Sequence, residues 1–216
     1  MQKFDTTAAI AVVLTIPAGR VQVIAAERAD TTVEVRPTDP AKRTDVRAAE
    51  RTTVAYADSV LRIRTDGSET KGSIEVTLQV PAGSGVEATA ASAEFRTVGR
   101  LGDLVVEGAY REIVVDEAAS VRLSAVDGDV RVGRLGGPAE ISTTRGDIRI
   151  AEAAGGAVVL STRSGDIEIA AAAGVSAALD AGTGHGRVSN ALENDGGATL
   201  AVRATTDHGD IVARSL

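Results

Sequence analysis

The sequence predicts an all-β fold wound as a single-stranded β-helix, or β-solenoid. Three observations predict it. Near-identical segments recur at an almost constant period, and self-similarity of this kind marks a repeat architecture. Side chains within each segment alternate apolar and polar, the period-2 signature of a half-buried strand. The composition is 44% hydrophobic but only 2% aromatic over 216 residues. A core made of Val, Ile, Leu and Ala has to be laid down in thin layers.

The repeat is clearest in Val121–Val132, Ala139–Ile150 and Val158–Ile169, which align without gaps. Their Gly-Asp pairs begin at Gly128, Gly146 and Gly165, giving periods of 18 and 19. Two looser copies carry Gly186 and Gly209, and in both the apolar anchor (Leu179 or Val202) stands two residues further from the glycine. Leu101-Gly102-Asp103-Leu104 reads as a fainter, earlier copy. Each unit reads as strand, turn, strand. In the third copy Leu160, Thr162, Ile167 and Ile169 face inward, and Ser161, Arg163 and Glu168 face outward. Gly128, Gly146, Gly165, Gly186 and Gly209 are assigned as structural turn positions, because a positive φ there favours a residue without Cβ. One unit cannot bury its own apolar face, so copies must stack. Stacking in chain order predicts a ladder Val130, Ile148, Ile167, Val188, Ile211. An antiparallel sandwich also has many short strands, but constant-period units favour the solenoid. Chirality rules for crossover connections favour a right-handed one.

The chain is read as a single domain, residues 1–216, with an atypical β-rich part at 1–80 and repeat rungs at 81–216. Ile10, Val12, Leu14 and Ile16 alternate, as does Ser73–Val80. Leu14–Gly19 and Leu78–Gly83 look like one strand-to-turn unit used twice. Thr53–Tyr56 and Leu61–Arg64 are expected to pair as a hairpin through Ala57-Asp58-Ser59. Asp39-Pro40 before Ala41–Glu50 suggests a short exposed helix or a charged loop. Asp66–Gly72 contains no apolar residue and reads as a mobile loop.

Composition excludes several functions. There are no cysteines, so disulfides, zinc thiolates, iron–sulfur clusters and thiol catalysis are out. The net charge is −7, and stacking platforms are scarce, which argues against nucleic acid. No stretch reaches the roughly 20 apolar residues of a membrane span. Ala8–Ile16 superficially resembles a signal-peptide core, but Asp5 and the short run favour a first strand. A cytoplasmic protein without cofactor is expected.

Candidate sites are few. Asp129, Asp147, Asp166 and Asp210 form a ladder that is a weak metal candidate; the alternative is bonding of each Asp to its own turn backbone. Arg187 replaces Asp in the fourth copy, and the calcium nonapeptide pattern is absent. Arg145-Gly146-Asp147 spells a cell-attachment tripeptide, but its sister copies read Asp-Gly-Asp and Ser-Gly-Asp. His185 and His208 each precede a turn glycine and are expected to lie near each other. Two such ligands make a poor metal site. Ser124, Ser142 and Ser161 recur without a histidine in their units, so no catalytic constellation is found.

The sequence also resembles a known family. Val35–Arg43, Val54–Asp58 before Leu61-Arg62-Ile63, Leu78–Gly83, the Ser-Gly-Asp-Ile-x-Ile repeats and His208-Gly209-Asp210-Ile211 are similar to the bacterial "putative adhesin" family of unknown function with β-strand repeats, the toastrack type common in actinobacteria. The resemblance covers nearly the whole chain. It implies a single-stranded β-helix without catalytic residues, and related domains in membrane-stress modules imply a regulatory scaffold by analogy. The expected role is a non-catalytic interaction scaffold with an unknown protein partner. The alternatives are a self-assembling, bactofilin-like protein, pairing through the open edge of its last rung, and a surface adhesin.

Overall fold

The computed structural model describes residues 1–66, 72–108 and 111–216. The expected Asp66–Gly72 loop falls almost wholly outside them. In chain order the elements are β1 (Gln2–Asp5), β2 (Ala11–Ala26), β3 (Asp30–Pro37), α1 (Arg43–Glu50), β4 (Thr52–Ala57), β5 (Val60–Thr65), β6 (Ile74–Pro81), β7 (Gly85–Val98), β8 (Arg100–Glu107) and β9 (Ile113–Asp127). There follow β10 (Val130–Leu135), β11 (Ala139–Arg145), β12 (Ile148–Ala153), β13 (Gly156–Ser164), β14 (Ile167–Ala171), β15 (Ala177–His185), β16 (Val188–Ala191), β17 (Leu200–His208) and β18 (Ile211–Ser215). Among the described residues no helix is long and apolar enough to cross a membrane.

The chain is an all-β solenoid. Each rung contributes one segment to a side A and one to a side B, and neighbouring rungs pair in parallel. On side A, β9, β11 and β13 lie in register, so that Val121, Ala139 and Val158 stack. On side B, Ile113, Val130, Ile148 and Ile167 stack. Inward residues of both sides join one buried apolar cluster. Val130, Ile148 and Ile167 are each 0% exposed. Phe95 is the one aromatic side chain in that buried set, so nearly every layer is aliphatic and fits between rungs about 4.8 Å apart.

The stack does not follow chain order, which corrects the expected ladder. β17 pairs with β13 on one flank and β15 on the other, and β18 lies likewise between β14 and β16. The column therefore runs Val130, Ile148, Ile167, Ile211, Val188. Val188 ends it and is 45% exposed. The last rung of the chain is covered by the rung before it. The open edge is accordingly β15–β16, rather than the segment ending at Leu216.

The other end mirrors this arrangement. β2 lies between β7 and the pair β5 and β6, so residues 11–26 form a complete rung. Antiparallel strands then close the end: β3 beside β6, β1 beside β3, and β4 beside β5. The β4–β5 hairpin turns through Asp58 and Ser59, both at positive φ. The helix starts at Arg43, and Asp39 instead holds the preceding turn through the Ala41 N–H, 2.9 Å away. It is not an exposed appendage, since Ala48 and Asp45 are buried and Asp45 accepts a bond from the Ser73 N–H at 3.1 Å.

Three sequence alignments are also corrected. Leu104 stacks on Val121 and Asp103 on Ser120, so Gly102-Asp103 is out of phase with Gly128-Asp129. Val202 and Leu179 occupy the Val158 position, and Ala204 and Ala181 occupy that of Leu160. The two looser copies thus have normal spacing and a smaller inward residue. Finally, Leu14–Gly19 and Leu78–Gly83 turn different corners. Pro17 lies inside β2, between its side A and side B segments, whereas Pro81 ends β6 beside Ala26.

Candidate functional site

The corner between sides A and B carries the Gly-Asp ladder. Gly128, Gly146, Gly165, Gly209 and Gly186 all hold a positive φ, from 113° to 157°. A Cβ at Gly165 would lie 2.1 Å from the Gly146 carbonyl oxygen. The ladder leaves no room for a side chain.

The following aspartates reach along the stack. Asp129 Oδ1 accepts from the Asp147 N–H at 3.0 Å, Asp147 Oδ1 from the Asp166 N–H at 2.9 Å, and Asp166 Oδ1 from the Asp210 N–H at 2.8 Å. Asp210 Oδ1 accepts from the Arg187 N–H at 2.9 Å. That backbone bond, reinforced by the Arg187 guanidinium, holds the Asp210 carboxyl below the usual carboxylate range. Each carboxylate thus caps the next rung rather than its own turn. Arg187 needs no carboxylate, because its rung is the last. Among the described residues no group of three or more His, Asp or Glu is arranged to hold a metal ion.

Other singled-out residues have structural partners. Arg145 Nη2 meets Asp127 Oδ2 at 2.9 Å, so both charged residues of the Arg-Gly-Asp tripeptide are engaged. His185 and His208 stack with ring centroids 4.7 Å apart and planes 4° from parallel. Ser124, Ser142 and Ser161 form one outward column on side A.

A surface depression lies on side B, where no motif pointed. It has a volume of about 550 Å³ and runs across the strands of β7, β9, β10, β12, β14 and β18. Outward side chains shape it. Arg96, Val114, Arg131, Arg149 and Glu168 form one column. Beside them stand Asp116, Gly133, Ala151 and Arg214. Gly133 and Ala151 leave a shallow floor, while the guanidinium groups make the walls. Gly133 is sterically required, as its Cβ would approach the Asp116 carbonyl oxygen at 2.5 Å.

Electrostatics grade these arginines. Arg131 is paired with Glu112 and with Asp129 at 3.3 Å. Arg149 lies 3.5 Å from Asp147 and 3.8 Å from Glu168, and Arg214 lies 3.5 Å from Glu168. Arg96 is exposed and makes no ion pair with any described residue. Four guanidinium groups line the depression beside Asp116 and Glu168, and Glu112, Asp129 and Asp147 at its rim pair with two of them, so Arg96 is the one whose charge is not matched by a described partner. Sequence reading missed it because its residues lie about one rung apart in the chain.

The profile of the family described as "Toastrack DUF4097" matches residues 8–215. Solved structures are similar over nearly full length. A "putative adhesin" from Bacteroides fragilis NCTC 9343 is 12% identical, with a TM-score of 0.48 over 98% of this chain and 95% of that one. One from Parabacteroides distasonis ATCC 8503 is 14% identical, with a TM-score of 0.48 over the same shares. A "putative cell adhesion protein" from Clostridium sporogenes ATCC 15579 is 8% identical, with a TM-score of 0.40 over 100% and 99%. No curated protein matches the chain.

Proposed function

The chain belongs to the Toastrack DUF4097 family, and from that premise we propose that it is a non-catalytic interaction scaffold whose side B is the binding face. The single observation that supports this reading is the arginine-walled depression. It is built from strands of six stacked rungs, so its side chains are held on a rigid parallel sheet. Paired hydrogen bonding along both flanks of a rung leaves little backbone freedom, and a fixed surface loses little entropy on binding. The corner carboxylates and glycines serve the stack itself.

Photo-crosslinking in the native cell tests the reading. A crosslinker at Val98, which lines the trough and is exposed, is expected to capture a protein partner, and one at Glu140, on side A, is not. Substrate turnover by the purified chain, or capture only from side A, overturns it.

Self-association is a second reading, favoured by the unpaired outer flank of β15–β16. Such strand edges invite pairing with another chain. A sharp monomer on size-exclusion chromatography at high concentration removes it.

A further inference from the structure

We propose that the side B depression binds an extended acidic peptide segment. This rests on the scaffold reading and names the chemistry of its partner.

Charge decides the sign of the ligand. Arg96 projects from the sheet without an ion pair to any described residue, so its guanidinium is available at no internal cost. Its neighbours in the trough, Arg131 and Arg149, are held by carboxylates at the Gly-Asp corner. A ligand carboxylate can share these groups, because a guanidinium carries five donors in a fixed fork.

Charge pattern decides the class. Along the stack the trough presents Arg96, Asp116, Arg131, Arg149, Glu168 and Arg214 in that order of rungs. A uniform polyanion such as polyphosphate would meet Asp116 and Glu168 at like charge. A peptide places carboxylates at intervals and offers N–H groups between them, which those two carboxylates can accept. A sugar chain would lack the ring-stacking surface it usually needs, as no aromatic residue among the described ones lines the trough. The floor of Gly133 and Ala151 fits small aliphatic side chains.

Length follows from the rung spacing. Arg96 and Arg214 are five rungs apart, about 24 Å at roughly 4.8 Å per rung. An extended peptide covers that span with about seven residues, at about 3.3 Å each.

Fluorescence anisotropy on the full chain tests the assignment, with three probes: a labelled (Glu-Ala)4 peptide, its (Lys-Ala)4 counterpart, and inorganic polyphosphate as competitor. The acidic peptide is expected to bind saturably, more weakly as salt rises, and the basic peptide not at all. Arg96→Glu should weaken binding at least tenfold. Ala151→Leu, which fills the floor from the solvent side, should do the same. Unchanged thermal unfolding of both variants keeps the comparison valid, and Arg96→Gln replaces Arg96→Glu if that variant unfolds. No saturation by millimolar acidic peptide, wild-type affinity in both variants, or tighter binding of polyphosphate overturns the proposal. A position-98 crosslink to a partner without an acidic segment overturns this inference alone. Absence of any side B crosslink overturns the scaffold reading beneath it.

Discussion

The Asp166 carboxylate accepts a hydrogen bond from the Asp210 backbone N–H at 2.8 Å, across 44 positions of sequence. The Asp147-to-Asp166 step below it spans only 19. The same clamp therefore joins rungs that are consecutive in the chain and rungs that are not. The final rung has been inserted beneath its predecessor.

Truncation after Thr199 exposes the consequence. β15 and β16 have β17 and β18 as their flanking partners. Removing residues 200–216 should therefore abolish amide protection across residues 177–191, although those residues are retained. Hydrogen exchange reads this directly. A stack in chain order would keep that protection.

Asp147→Ala removes the acceptor for the Asp166 N–H and should cost about 1.5–3 kcal/mol in denaturant unfolding, the scale of a hydrogen bond to a charged group. Asp147→Asn keeps an acceptor oxygen and should cost clearly less. Equal losses for both variants would show that charge, not the bond, is what matters.

Glycine substitutions should divide sharply. Gly165 has φ +154° and Gly146's carbonyl oxygen where a Cβ would sit. Gly165→Ala should cost more than about 4 kcal/mol or prevent folding. Gly174 has φ +75° and no atom within 4 Å of such a Cβ. Gly174→Ala should then cost only the backbone strain, about 1–2 kcal/mol. Thermal melts of the pair check the contrast.

Acid sensitivity has a traceable part. Arg28 and Lys3 hold the Asp30 carboxyl at about 2 through hydrogen bonds. The group is depressed in the folded state, so its contribution is full above the unfolded value near 3.9 and fades as pH falls from there toward 2. Asp30→Asn should flatten the stability profile between about pH 4 and 2, while leaving its shape above pH 5 unchanged. Denaturant midpoints at a series of pH values measure this. A parallel offset at every pH would contradict it.

The single rung was legible in the chain because its physics is local. Alternation placed Leu160, Ile167 and Ile169 inside, and the 18- and 19-residue spacing put Val130, Ile148 and Ile167 in one column. The stacked histidines followed from their shared place before the turn glycine. The side B trough was not legible, since Arg96, Arg131 and Arg149 belong to no motif and meet only when rungs stack. The carboxylate clamps were misassigned for the same reason, as their acceptor–donor pairs lie in different rungs.

By itself the sequence determined that copies stack, which face of each strand is buried and that the corners at 128, 146, 165, 186 and 209 call for glycine. Only the tertiary structure decided the order of the stack. Every rung offers the same parallel array of N–H and C=O groups to both neighbours, so periodicity cannot say which rung lies next. What decides is reach. The links at 136–138 and 154–155 step one rung, whereas those at 172–176 and 192–199 are longer and step two rungs out and one back. Leu200 is thereby buried at 0% exposure, and the more polar β15 and β16 are left at the open end.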